Sequence, residues 1–175
     1  MLKALVPWVA IGGVILLLGI QVIPYGRHHT NPPARVEPAW DSTETRELTV
    51  RACFDCHSNQ TVWPWYANLA PFSWLVQSDV DEGRGKVNYS EWGRPQKEAK
   101  QSAEEVQERE MPPWYYAMLH PEAQLSSSER QALIRGLEAT FGREEKGEHG
   151  EEKEAHEKRS AHDPGGRFHW LGALM

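Results

Sequence analysis

The pattern best suited to chemistry is a run of five residues, Cys53-Phe54-Asp55-Cys56-His57, which contains both cysteines of the 175-residue chain. A C-x-x-C-H run is the sequence form of covalent haem attachment. Each thiol can add to one vinyl group of a haem, and the histidine that follows supplies an axial nitrogen to the iron. The sequence therefore predicts one covalent haem c, with Cys53 and Cys56 as thioether links and His57 as the proximal iron ligand.

Two other kinds of site use a cysteine pair with this spacing. A thioredoxin-type dithiol follows a strand in a βαβ unit, whereas residues 43–52 are mostly polar and show no strand pattern. A zinc site usually needs a second pair of ligands, and the next histidine after His57 is His120, far along the chain. Both alternatives stay open behind the haem hypothesis.

The sixth iron position has one leading candidate. Two prolines, Pro112 and Pro113, directly follow Met111, and they stiffen a non-helical loop that can present a thioether to the iron. We therefore predict Met111 as the distal ligand. His120 is the alternative ligand, and an open sixth position is the third possibility. Core packing is the ordinary role of a methionine.

Aromatic residues are dense around these candidates, and several are expected to line the haem pocket. Trp65 and Trp114 are the two that we expect closest to the haem. Asp55 and Asn59 are expected to face solvent. The aromatic residues in question are Trp63, Trp65, Tyr66, Trp74, Trp114, Tyr115 and Tyr116.

Helices must position these residues, because the signals between Trp40 and Gly142 are helical. Asp41 with Glu44 predicts a helix from Ser42 into the motif, and Ser102 with Glu105 predicts a short polar helix. An apolar stripe predicts a helix that begins near Pro71 and ends at Gly83; its residues are Phe72, Leu75, Val76 and Val80. A capping box of Ser126 and Glu129 opens a helix with the stripe Leu133, Ile134, Leu137 and Phe141, ending at Gly142. The predicted class is all-α.

The rest of the chain predicts a membrane anchor and flexible flanks. Residues 4–23 carry no charge and would span roughly 30 Å as a helix, so we predict a transmembrane signal anchor with residues 1–3 as a short cytoplasmic end. A cleaved signal peptide is the alternative. Residues 24–39 are proline-rich, so we predict a tether there. We predict that residues 40–142 form the haem domain and that residues 143–175 form a charged, histidine-containing, disordered tail.

Beyond the C-x-x-C-H run, two further motifs narrow the assignment. These are Ser58-Asn59-Gln60-Thr61-x-Trp63-Pro64-Trp65-Tyr66 and Met111-Pro112-Pro113-Trp114-Tyr115-Tyr116. With the final capped helix, they make residues 40–142 resemble the haem-binding domain family of cytochrome-c-like proteins. The resemblance implies a cytochrome-c-like helical domain around one haem, in a protein that is membrane-anchored or periplasmic.

The expected function is single-electron transfer by a membrane-anchored monohaem c-type cytochrome, and so an electron carrier rather than an enzyme. The expected partners are membrane respiratory complexes or soluble redox carriers. Because covalent haem attachment occurs on the outer, periplasm-like side of energy-transducing membranes, we place the haem domain on the periplasmic side of a bacterial inner membrane. A formal net charge of −6 argues against nucleic acid. A haem-based sensor, a small-ligand-binding module or a weak peroxidase is the alternative, and each needs an open or displaceable sixth ligand.

Overall fold

The computed structural model describes residues 2–96 and 98–142, and within them the secondary structure is helical, as predicted. The only β pairing in this part of the chain is an isolated parallel bridge between Val36 and Glu91. Three short 3₁₀ turns connect the helices, at Trp65–Asn68, Ala99–Gln101 and Pro121–Ala123. The α-helices are α1 (Leu2–Ile20), α2 (Thr43–Ala52), α3 (Phe54–His57), α4 (Phe72–Lys86), α5 (Ser102–Glu108), α6 (Trp114–Leu119) and α7 (Ser127–Phe141).

Helix α7 is the centre of the main core. Leu133 and Leu137 are fully buried on its inner face, where they pack with Leu48 of α2 and Val106 of α5. The predicted capping box is present, since Ser126 and Glu129 exchange both hydrogen bonds. Gly136 lets α2 and α7 approach closely, because a Cβ atom at this position would overlap the side chain of Thr45. This core holds the helix that leads into the cysteine motif.

A second, largely aromatic cluster packs around Phe54 of α3. Phe54, Val87 and Tyr89 are buried there, and the rings of Trp92 and Phe141 stack at a centroid distance of 4.8 Å. Aromatic pairs of this kind add stability beyond the area that they bury. Because Phe54 lies between the two cysteines in the sequence, its burial in this cluster holds α3 in place.

Helix α4 begins where the sequence predicts but extends past its predicted end. Pro71 is the residue before its first turn, and the helix continues three residues beyond Gly83 to Lys86. The predicted stripe is buried only in part: Val80 is buried, whereas Phe72 and Leu75 are exposed. Gly83 is therefore not a helix terminator. It is a contact point, because a Cβ there would lie 2.5 Å from the carbonyl oxygen of Cys56.

Two helix starts also differ from the sequence prediction by one residue. Ser42, rather than Asp41, caps α2, and its hydroxyl oxygen accepts a hydrogen bond from the Thr45 backbone N–H. Ser102 is the first residue of α5 and does not cap it. Helix α6 was not predicted. The predicted tail, residues 143–175, lies outside the described residues.

The proline-rich segment lies along the helical domain. The Gln21 amide forms two hydrogen bonds with the backbone of Ala70, at 2.8 and 3.1 Å. Further along, the Asn31 amide donates to the Thr61 carbonyl, and the Arg35 N–H donates to the Ser90 carbonyl at 2.8 Å. The segment is thus fastened at several points.

Helix α1 precedes this segment and stays apart from the core. Its apolar side chains are exposed along the whole described length, from Leu5 to Leu18. Judged by length and mean hydropathy together, none of the helices within residues 2–96 and 98–142 qualifies as a membrane span.

Candidate functional site

The cysteine motif forms a single helical turn whose backbone is tightly held. Cys53 ends α2 and precedes α3, and its carbonyl accepts the His57 N–H at 2.9 Å. The close contact between Gly83 and Cys56 presses this turn against α4. The turn therefore brings Cys53, Cys56 and His57 to one side of the helix pair.

The His57 ring is oriented by a backbone carbonyl. Its Nδ1 lies 3.2 Å from the oxygen of Val87, and the Tyr89 N–H donates to the His57 carbonyl at 2.8 Å. When Nδ1 donates its hydrogen to the Val87 carbonyl, Nε2 carries the free lone pair, which is the arrangement typical of metal-ligating histidines. Burial lowers the pKa of His57, and the Val87 carbonyl opposes that shift. The ring is thus suited to remain neutral and to act as a ligand through Nε2.

One cavity of about 620 Å³ is lined by residues of the cysteine motif together with Met111 and Trp114, and its volume lies in the range of cofactor pockets. Part of its lining consists of Cys53, Cys56, His57, Gly83 and Val87, which we call the motif wall. Another part consists of Arg109, Glu110, Met111 and residues 113–116, which we call the methionine wall. Two thiols, an imidazole and a thioether thus face one space, a donor set that fits a haem.

The alternatives to haem find less support in this geometry. Burial raises the pKa of the Cys53 and Cys56 thiols to about 12 each, whereas a reactive dithiol needs a lowered pKa. Within residues 2–96 and 98–142, no group of three or more His, Cys, Asp and Glu side chains is close enough to hold a metal ion. Both findings favour a cofactor pocket over a redox dithiol or a zinc site.

Met111 is held in place by the end of α5 and by α7. Arg109 ends α5 in a left-handed conformation, with φ of 65°, and the Met111 N–H then donates to the Glu105 carbonyl at 3.1 Å. From α7, the Arg130 guanidinium donates to the carbonyls of Val106 and Met111 at 2.9 and 3.4 Å. The backbone that carries the thioether therefore has a defined position beside the cavity.

The other predicted site residues lie in different places. His120 is not among the residues that line the cavity; its ring stacks on Tyr116 with centroids 4.1 Å apart. Trp114 lines the cavity although its side chain is largely exposed, whereas Trp65 is 77% exposed and does not line it. The structure thus brings Met111 and Trp114 to the cysteine motif, and it does not bring His120 or Trp65 there.

The run that directly follows the cysteine motif, Ser58-Asn59-Gln60-Thr61, is held by a network of hydrogen bonds. Asn59, which was expected to face solvent, is buried; its side chain accepts from the Asn88 amide at 2.9 Å, and its N–H donates to the Ser90 hydroxyl. The Arg84 guanidinium donates to the Ser58 carbonyl and to the Thr61 hydroxyl. Buried polar groups are stable only when they are paired in this way, which explains this polar run beside the motif.

Two hydrogen bonds that the sequence did not predict join α6 to α3 and α4. The Tyr116 phenol donates to Asp55 Oδ2 at 2.7 Å, and the Tyr115 phenol donates to Asp79 Oδ2 at 3.1 Å. Asp55, which was expected to face solvent, also accepts the Val62 N–H. Burial raises the pKa of both tyrosines, that of Tyr115 to about 12, so both phenols are donors at neutral pH. Only the adjacent tyrosine pair gave a sequence signal.

Trp63, in the motif Ser58–Tyr66, has a structural role next to the N-terminal segment. The Trp63 ring stacks on His29 with centroids 4.5 Å apart and planes 6° apart, and its indole N–H donates to the Asn31 side chain. Trp63 therefore helps to fasten the proline-rich segment to the domain, away from the cavity.

Comparison with known sequences agrees with this geometry. The sequence model of a family described as a haem-binding domain matches residues 15–139, which include both cavity walls and the fastened N-terminal segment. Searches of curated proteins and of solved structures give no significant match. The cavity, its donor set and the family match over most of the chain lead to one conclusion: this protein is a member of the haem-binding domain family.

Proposed function

We propose that the protein is a monohaem c-type cytochrome that carries single electrons. The observation that carries this proposal is the single cavity in which Cys53, Cys56, His57 and Met111 meet. When bound, the haem supplies one iron that alternates between Fe(II) and Fe(III). The chain needs no general acid, base or substrate pocket for this function.

Each of these residues has a separate task in the proposal. Cys53 and Cys56 hold the haem by thioether bonds, so their thiols are consumed on maturation. His57 supplies the proximal nitrogen through Nε2, since Nδ1 is engaged with Val87. Met111 supplies the distal thioether, which favours Fe(II) and gives a higher potential than a second histidine would. The partly buried side chains of Tyr115 and Tyr116 would limit the access of water to the haem.

We also propose that residues 4–23 attach the protein to a bacterial inner membrane, with the haem domain in the periplasm. Two observations support the proposal: the uncharged sequence of this stretch, and the apolar side chains of α1 that remain exposed from Leu5 to Leu18. Respiratory complexes in that membrane, or soluble redox carriers, are the proposed partners. Alkaline carbonate extraction of cell membranes tests the attachment; release of the protein into the soluble fraction would contradict it.

Carbon monoxide tests the electron-carrier proposal. The protein is expressed with a cytochrome maturation system, reduced, and exposed to carbon monoxide while its absorption spectrum is recorded. We expect little binding, together with a far-red methionine-to-iron band in the oxidised form. Rapid binding without that band would instead favour the sensor or peroxidase alternative, because both need an open sixth position. A colourless product would refute haem attachment altogether.

A further inference from the structure

Helix α6 has an unusually weak attachment for an element so close to the cavity. It runs from Trp114 to Leu119, only three residues after Met111, and none of its residues is fully buried. Its backbone packs mainly on the 3₁₀ turn Pro121–Ala123, and it makes no extensive packing contact with α3 or α4. Apolar burial therefore does little to hold this helix against the motif wall.

Two tyrosine side chains provide the missing attachment. Tyr116 donates to Asp55 of α3 at 2.7 Å, and Tyr115 donates to Asp79 of α4 at 3.1 Å. The acceptors are on two different helices of the motif side, and all four side chains are partly buried. A hydrogen bond to a carboxylate is stronger than one between neutral groups, and partial burial limits the competition from water. The pair forms a two-point clamp between α6 and the helices α3 and α4.

The chain between this clamp and Met111 is short and stiff. Pro112 is buried, and both Pro112 and Pro113 have backbone φ angles restricted by their rings. A displacement of α6 is therefore transmitted to Met111 rather than absorbed by the connecting residues. Met111 itself is held by backbone bonds to Glu105 and Arg130, and its side chain packs against the core cluster around Leu133 and Leu137.

We propose that Tyr115 and Tyr116 are positioning residues that keep the Met111 thioether at the iron by clamping α6 to Asp79 and Asp55. This inference rests on the proposed function, since it requires a haem between the two walls. Neither tyrosine takes part in the electron transfer itself. Their effect is on the competition between Met111 and any other sixth ligand.

Imidazole titration of the oxidised, haem-loaded protein tests the clamp. Imidazole competes with Met111, so weaker clamping raises its apparent affinity. For Tyr116→Phe we expect about a tenfold increase in that affinity, along with a weaker far-red methionine band. Tyr115→Phe should give a smaller increase, because its hydrogen bond is longer. Tyr66→Phe is the matched control: Tyr66 is equally part-buried, and within the described chain its phenol forms no hydrogen bond and does not line the cavity.

A second variant separates the clamp from a general loosening of the fold. Asp55→Asn keeps the shape of the acceptor and the hydrogen bond from Val62, but it loses the charge. It should shift imidazole affinity in the same direction as Tyr116→Phe. The double variant should add little to Tyr116→Phe alone, because both changes disrupt one interaction. Fully additive effects would contradict a shared contact.

The results also distinguish failure of the clamp from failure of the proposed function. If haem staining persists but Tyr116→Phe binds imidazole within twofold of the wild type, the clamp is refuted and the haem proposal stands. If the wild type already binds imidazole as tightly as Met111→Ala, there is no iron–methionine bond to protect, and the clamp is refuted too. If no haem is attached in the wild type, the proposed function itself fails.

Discussion

The two walls of the cavity are built by different kinds of interaction. The motif wall is locked by buried contacts: the ring cluster around Phe54, the Asn59–Asn88 network, and the close approach of Gly83 to Cys56. The methionine wall ends in the short helix α6, which has no fully buried residue and is joined to α3 and α4 by the hydrogen bonds of Tyr116 and Tyr115. The motif wall is therefore the more firmly held of the two, and this contrast can be tested by experiment.

The largest expected effect is on the motif wall, at the two attachment points. In Cys53→Ser or Cys56→Ser one thioether bond is missing, and the double variant has neither. We expect haem staining on a denaturing gel to fall in each single variant and to disappear in the double variant, with reductant present in all samples. Undiminished staining of the double variant would show that the haem is not held by these thiols.

The next effect is on the methionine wall. Met111→Ala removes the predicted thioether ligand, so the oxidised protein should lose the far-red methionine band and bind added imidazole readily. Met118→Ala is the matched control, because Met118 is exposed and does not line the cavity. An unchanged spectrum in Met111→Ala would mean that another residue holds the sixth position.

Substituting two glycines of α4 by alanine tests how rigid the motif wall is. Gly83→Ala places a methyl group 2.5 Å from the Cys56 carbonyl oxygen, and we expect it to lower the free energy of unfolding by about 1–3 kcal/mol. Gly85→Ala, two residues further on, meets no atom within 4 Å and should raise it by up to about 1 kcal/mol through helix propensity. Urea unfolding of both variants checks this; equal stabilities would refute the close contact.

The smallest effect concerns Glu129, which caps α7 and pairs with Arg51 at the end of α2. The hydrogen bonds from Ser126 and the Arg51 guanidinium lower the pKa of Glu129 to about 2. Because the folded-state pKa is depressed, this contribution is present above the ordinary pKa of 4.5 and is lost as the pH falls towards 2. In Glu129→Gln the pH dependence of stability in that window should be shallower. An identical slope would contradict the assignment.

Local signals in the sequence predicted much of the fold. The helical class, the start of α4 after Pro71, the capping box of α7 and its end at Gly142 all follow from neighbouring residues. The family assignment followed from three short motifs, and the family match confirms it. These features are predictable because their physical causes, capping bonds and apolar periodicity, act within one or two helical turns.

Features that depend on distant contacts were not predictable. Gly83 reads as a helix terminator, and only its packing against Cys56 shows why glycine is needed there. Asp55 and Asn59 are polar and read as exposed, since their partners, Tyr116 and Asn88, are 61 and 29 positions away. Phe72 and Leu75 fit an apolar stripe but are exposed, because periodicity does not say which helix faces find partners.

The bonds between Gln21 and Ala70 have a consequence for geometry outside the protein. They fasten the end of α1 next to the start of α4, so the N-terminal helix and the domain cannot swivel freely about each other. Along α4, Phe72 and the cavity-lining Gly83 are separated by roughly 16 Å. Any surface that captures α1 would therefore also fix the height and tilt at which the cofactor is presented to a partner.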